Sequence, residues 1–213
     1  MTIIQMHTAC DELMDKPGNP WFNSTQKDFY LNEAIVEFTK ERYAQFELNE
    51  KRREDLVSLV RKKSFTVPII TLNNINVPSF MYILALSASY TDICDNQRSA
   101  PVKPMKWDDY NESQRDPFNV PDNENPIYLT NNNGTVDIID IKGITNFVSA
   151  DLVYLKLPVT VLNDETNPTN NVNCDLPLAT HNEIVNIAVR KMLGTVKDPN
   201  YQVQMNEIKT ANT

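Results

Sequence analysis

The apolar pattern of this 213-residue chain changes period twice, and that change constrains the fold more than any other feature. Ile3, Met6, Cys10 and Leu13 recur at steps of three and four, the spacing of one stripe on a helix, and Lys16-Pro17-Gly18-Asn19-Pro20 ends it. Thr25 followed by Asp28 resembles a capping box and opens a second helix carrying Leu31, Ala34, Ile35, Phe38 and Phe46. Asn49 caps a third helix or marks a kink, and residues 50–63 would then bury Leu56, Leu59 and Val60 while Lys51-Arg52-Arg53 and Arg61-Lys62-Lys63 form a solvated helix face. After Ser64 the composition turns β-branched and aromatic, broken by prolines. Strands are expected at Phe65–Val67, Ile69–Leu72, Phe80–Tyr90, Ile127–Thr130, Val136–Ile141 and Leu152–Val161, with Asn133-Gly134 as a hairpin turn. Helical spacing returns in Val185, Ala188, Val189 and Met192, with Asp175 as cap and Gly194 as stop.

These signals together predict an α+β chain. N-terminal helices and a C-terminal helix form a helical bundle, and an antiparallel β domain, barrel or sandwich, is inserted between them. The expected boundaries are 1–64 for the first part of the bundle, 65–175 for the β domain, 176–194 for the returning helix and 195–213 for an extended tail. The connections 91–126 and 163–174 are long, polar and rich in proline, of a kind that commonly lies on partner surfaces.

Composition then excludes function classes. The four glycines, Gly18, Gly134, Gly143 and Gly194, stand far apart, so neither a GxGxxG nor a Walker loop exists to cradle phosphate. Asparagine, with 26 residues, does much of the turn work instead. Net charge is −8, and it is uneven: residues 1–64 hold 10 basic and 11 acidic side chains, residues 65–175 hold 6 and 14, and residues 176–213 hold 4 and 3. An acidic middle cannot neutralise phosphates, so specific DNA binding is not expected. The opening MTIIQMHTACDELMDK turns acidic too early for a signal peptide, and no apolar run approaches the ~18 residues of a membrane span. The expectation is a soluble cytoplasmic chain, with no membrane partner, in which the sequons at Asn23, Asn111 and Asn133 carry no meaning. Cys10, Cys94 and Cys174 form no CxxC and are expected to be reduced packing residues.

No catalytic, cofactor or metal site is expected. His7 and His181 each fall on an expected helix, His181 one turn before Val185 at a half-buried position, and no serine lies in a GxSxG elbow. Asp108-Asp109 and Asp116 lack the spacing and glycine of a calcium loop and are expected to be solvated. Trp107, Tyr110 and Phe118 flank them, as packing at a loop base or as a platform for a sugar. Beyond Gly194, Tyr201, Val203, Met205 and Ile208 are too few for a core of their own but enough to anchor an extended segment on a neighbouring subunit.

Five stretches, LNEAIVEFTKERY (31–43), WDDYNESQRDPFNVP (107–121), LVYLKLP (152–158), CDLPLATHNEIVNIAV (174–189) and KDPNYQ (197–202), resemble in order the virion structural proteins of crAss-like bacteriophages, specifically the ring or adaptor proteins of the head-to-tail connector. The resemblance implies a homo-oligomeric ring of twelve copies, stacked between the portal, a neighbouring connector ring and the tail proteins, through which DNA passes without specific binding. It also implies residence in the virion, after assembly in the host cytoplasm. A rival expectation, a glycan-binding or host-attachment β module of a virion, rests on Trp107, Tyr110 and the polar loops.

Overall fold

A computed structural model describes residues 1–14, 22–46, 49–73, 77, 79–132 and 137–196. The fold is α+β, with N-terminal helices, a central β-sheet region and a C-terminal helix, divided into two compact units. One unit joins Met1–Leu59 to the chain from Pro158 onward, and the other is Val60–Leu157. Relative to the expected boundaries at 64 and 175, the β segment begins five residues sooner and ends well before Asp175.

In the helical unit, α1 (Ile3–Leu13) is opened by a capping box in which Thr2 Oγ1 accepts from Gln5 N–H and Gln5 Oε1 accepts from Thr2 N–H. Ile3, Met6 and Cys10 are buried as the stripe requires, but Leu13 is exposed and Met14 is buried in its place. Helix α2 (Ser24–Ala44) starts two residues earlier than a Thr25 cap would set it, because Asn23 and Gln26 form the capping box. Asp28, freed from capping, is buried. Leu31, Ala34, Ile35 and Phe38 face the core, whereas Phe46 lies past the end of the helix.

The expected helix over 50–63 is instead a short α3 (Glu50–Asp55), preceded by Asn49, then a single 3-10 turn at Val57–Leu59. Leu56 and Leu59 are fully buried. From Val60 onward the chain is strand, so Arg61, Lys62 and Lys63 lie on β1 (Val60–Phe65) and not on a helix. Pairing with a strand some ninety residues away overrides the local helical pattern. The returning helix α5 (His181–Val196) follows a 3-10 turn at Leu178–Thr180 and buries Ile184, Val185, Ala188, Val189 and Met192. Gly194 therefore lies inside the helix and does not stop it, and Asp175 caps no helix: its Oδ1 accepts from Val159 N–H at 3.4 Å. Helix α5 packs against both α1 and α2.

In the β unit, β1, β2 (Ile69–Thr71), β3 (Phe80–Thr91), β4 (Gln97–Pro101), β5 (Lys103–Pro104), β6 (Ile127–Asn132), β7 (Asp137–Lys142) and β8 (Phe147–Lys156) form two four-stranded sheets. The orders are β1-β8-β3-β4 and β2-β7-β6-β5, and no sheet closes into a barrel. All pairings are antiparallel except β5 with β6. One core takes Leu86, Ala88, Ala150, Leu152 and Tyr154 from the first sheet and Ile70, Ile139 and Ile141 from the second. Asn132 pairs with Asp137, so the strands on either side of Asn133-Gly134 are hairpin partners, while residues 133–136 lie outside the described chain. The last strand runs 147–156, five residues earlier than expected. The connection 91–126 is also more structured than its composition suggests, holding β4, β5 and α4 (Trp107–Ser113).

Candidate functional site

Each helical-unit histidine is held at both ring nitrogens. His7 Nε2–H donates to Asp28 Oδ1 at 2.8 Å, and Nδ1 accepts from the Asn163 side-chain amide at 3.2 Å, a tautomer fixed by its partners. Asn163 N–H donates to Asp28 Oδ2, and Ser24 Oγ–H donates to Asn163 O. Ser24, His7 and Asp28 are the residue types of a nucleophilic triad, but Asn163 takes the ring nitrogen that would receive a serine proton, and Ser24 spends its own on a carbonyl. The cluster ties the segment after Pro158 to α1 and α2. Burial lowers the His7 pKa, outweighing the hydrogen bond to Asp28 that raises it. His181 is likewise buried, with Nε2–H donating to Leu176 O and Nδ1 accepting from the Met1 ammonium, and burial lowers its pKa too. His181 is more buried than the half-buried position expected from its spacing.

Arg42, near the end of α2, is 3% exposed. Its Nε lies 3.0 Å from Asp55 Oδ2, its Nη2 donates to Glu183 Oε2, and its guanidinium sits 4.6 Å over the Phe38 ring. It thus ties α2 to both α3 and α5.

The cysteines divide. Burial pushes the Cys10 thiol up to about 12 and the Cys174 thiol up to about 11, in keeping with packing roles, but Cys94 is exposed in the β3–β4 hairpin and packs nothing. Asp108 and Asp109 occupy the first turn of α4 and are exposed. Asp116 organises its own loop, accepting from Phe118 N–H and from the Asn119 side chain. Among the described residues no three His, Cys, Asp or Glu side chains gather to hold a metal ion. No described helix is long and apolar enough to cross a membrane.

The most constructed surface of the β unit surrounds Trp107. Lys103 N–H donates to Pro126 O and Met105 N–H to Tyr128 O, each at 3.1 Å, so this edge segment steps along β6 two residues at a time. At the next step, opposite Thr130 O, the donor is the Trp107 indole Nε1–H at 3.1 Å. The side chain takes the place of a backbone donor and continues the ladder. Tyr110, one turn along α4, meets the indole edge-on at 6.2 Å between ring centres. A cleft of about 440 Å³ lies beside the indole, with Phe80, Thr130, Asn131, Asn132 and Asp137 among its lining. A second, of about 550 Å³, shares Thr130 and is lined by Met105, Lys106 and Tyr128. Of the three aromatic residues singled out in the sequence, the structure joins Trp107 to Tyr110 and leaves Phe118 96% exposed on the following loop.

The helical unit has its own surface feature: a groove of about 550 Å³ along α2 lined by Phe29, Val36 and Lys40 with Glu33 and Glu37, which pair with Lys191 of α5. Sequence reasoning missed it, although Phe29 and Val36, seven apart and off the buried stripe, are a readable second apolar line. Large apolar side chains also stand out on loops, with Ile93 at the β3–β4 turn fully exposed. The tail residues Tyr201, Val203, Met205 and Ile208 lie outside the described residues. No family model and no curated protein matches this chain.

Proposed function

We propose that this chain is a structural subunit of a phage virion, a ring-forming adaptor of the head-to-tail connector that links portal to tail and lines the DNA passage. The observation that carries the reading is the chain path: a helical frame built from both ends of the sequence, Met1–Leu59 and the chain from Pro158, with a contiguous β unit inserted. That order looks like the one found in adaptor proteins of short-tailed phages, and four of the five stretches that resemble crAss-like connector proteins fall on α2, on α4 with its following loop, on the end of β8, and on α5 with its lead-in. With it goes the finer architecture of a helical bundle carrying an antiparallel β sandwich, whose two sheets share one core.

A closed ring of twelve needs two different, complementary faces on every subunit. The α2 groove, with an apolar floor and a charged rim, supplies a receiving surface on the helical unit. Exposed Ile93 and Phe118 supply apolar contacts on loops of the β unit, where a partner would remove them from water. The acidic middle of the chain repels phosphate and suits a passage through which DNA slides without adhering. The role is structural, with no turnover and no cofactor.

Light scattering on the purified chain, alone and mixed with the portal of the same phage, tests the proposal. The expected result is a discrete oligomer, formed alone or only on the portal, and density for the chain between portal and tail in the virion. A monomer that ignores the portal and is missing from purified virions would overturn it.

A further inference from the structure

We propose that the cleft beside Trp107 is a binding site for a neutral oligosaccharide. This goes beyond the connector role and does not rest on it. A sugar ring offers two kinds of surface, a patch of C–H groups on its face and hydroxyls around its rim. A site that takes one needs an aromatic plane fixed in advance and a set of short polar groups beside it. Both are present here.

The plane is the Trp107 indole, 43% exposed and held by its Nε1–H on Thr130 O and by the Tyr110 ring at its edge. An exposed tryptophan on a loop ordinarily loses rotamer freedom when it binds. This one has lost it already, because its N–H completes a β ladder. Phe80, partly buried, lines the same cleft.

The polar groups are amides, a hydroxyl and one carboxylate. Asp137 is oriented by two side-chain amides, with Oδ1 accepting from Asn132 at 2.8 Å and Oδ2 from Asn73 at 3.4 Å, and each oxygen keeps a lone pair for a further donor. Asn131 Oδ1 accepts from Asn132 N–H at 2.8 Å, which turns its NH₂ away from that bond and leaves it two donors. Donors and acceptors thus stand together on the exposed end of a hairpin, matching hydroxyls that both give and accept. Lysine and arginine are missing from the described lining, so an anionic ligand is not what the cleft selects. A peptide would bring a backbone in need of ladder partners, and the Trp107 indole already occupies the next donor position on β6.

The test uses the full chain and saturation-transfer NMR with maltotriose, cellotriose and chitotriose as probes. At least one is expected to bind, with its strongest transfer on the C–H protons of one ring. Trp107→Ala should weaken that binding about tenfold or more, by loss of the stacking plane. Because that variant also removes a hydrogen bond within the fold, Asn131→Ala, on an exposed side chain, serves as the second. It should weaken binding severalfold with an unchanged melting temperature. Failure of all three trisaccharides to bind, or binding that survives Trp107→Ala in a folded protein, overturns the proposal. Ring formation, read separately by light scattering, is expected to be unaffected by added sugar, so loss of one activity is distinguishable from loss of the other.

Discussion

Replacing Arg42 with methionine should destabilise the helical unit by about 2–3 kcal/mol. Methionine keeps an unbranched, adaptable stem against Phe38 and deletes the guanidinium, so the loss is chiefly electrostatic. Removing one partner of a fully buried ion pair costs roughly 3–5 kcal/mol, because the other charge is stranded. Here Arg42 is buried, but the side chains left behind, Asp55 and Glu183, are 19% and 31% exposed and regain part of their hydration, which places the cost below that range. Loss of the cation over the Phe38 ring adds up to roughly 1 kcal/mol. At ~2–4 °C per kcal/mol for a chain of this size, the midpoint should fall by about 5–10 °C in a thermal melt followed by circular dichroism at 222 nm. Replacing Arg42, Asp55 and Glu183 together with apolar residues of similar volume should recover most of that loss, since no charge is then stranded. A midpoint for Arg42→Met within about 1 °C of the parent would refute the reasoning and show that solvent already screens the pair.

Three further outcomes are expected. Folding favours the neutral form of His7 and His181, whose pKa values are lowered, while the unfolded chain takes up protons near pH 6.5; stability should be complete above that value and fall as pH drops through the lower folded-state values. Urea titrations at pH 7.5 and 5.5 should show this decline, smaller in His7→Gln, and equal stability at both pH values would contradict it. Val189→Asp puts an unpaired charge at a fully buried site whose valine contributes ~1.5–3 kcal/mol, and should abolish the cooperative melt of the helical unit; an unchanged spectrum and melt would show that α5 is not core. Two glycines should respond with opposite sign: Gly143→Ala, at φ +91° with a Cβ 2.8 Å from Pro121, should cost about 2 kcal/mol, whereas Gly194→Ala, exposed inside α5, should gain ~0.5–1 kcal/mol, as differential scanning calorimetry would read.

The parts legible in the sequence are those where local pattern and tertiary burial agree. Leu31, Ala34, Ile35 and Phe38 announced α2 because their spacing is also their burial, and Val185, Ala188 and Val189 did the same for α5. Reading failed where a distant partner decided. Val60–Phe65 carries the basic run of a solvated helix, yet six residues of β8 pair with it, and Gln97–Pro101 has little strand character but completes a hairpin with β3. Gly194 looked like a stop because glycine usually ends helices, but packing against α1 and α2 carries α5 past it. Trp107 and Tyr110 were visible as candidates, but not the ladder that fixes the indole, because nothing local says that residue 107 will reach Thr130. The His7–Asp28–Asn163 cluster was equally hidden, since its members lie 21 and 135 residues apart.

The ends of the β unit sit side by side, with Val60 at the start of β1 directly opposite Leu155 near the end of β8. This governs the order of events during synthesis. The helical frame is completed only when α5 has been made, and joining it to α1 and α2 across an unfolded insert of about one hundred residues would cost roughly 2–3 kcal/mol more in closure entropy than joining it across a short turn. The β unit is contiguous and is made before α5, so it can fold while α5 is still within the ribosome. Once β1 meets β8, the chain leaving Leu59 and the chain entering Pro158 are delivered together, and the frame closes as if the insert were a tight hairpin. The middle of the sequence thus acts as the clasp for its two ends, and slowing its folding should delay assembly of helices that it does not contain.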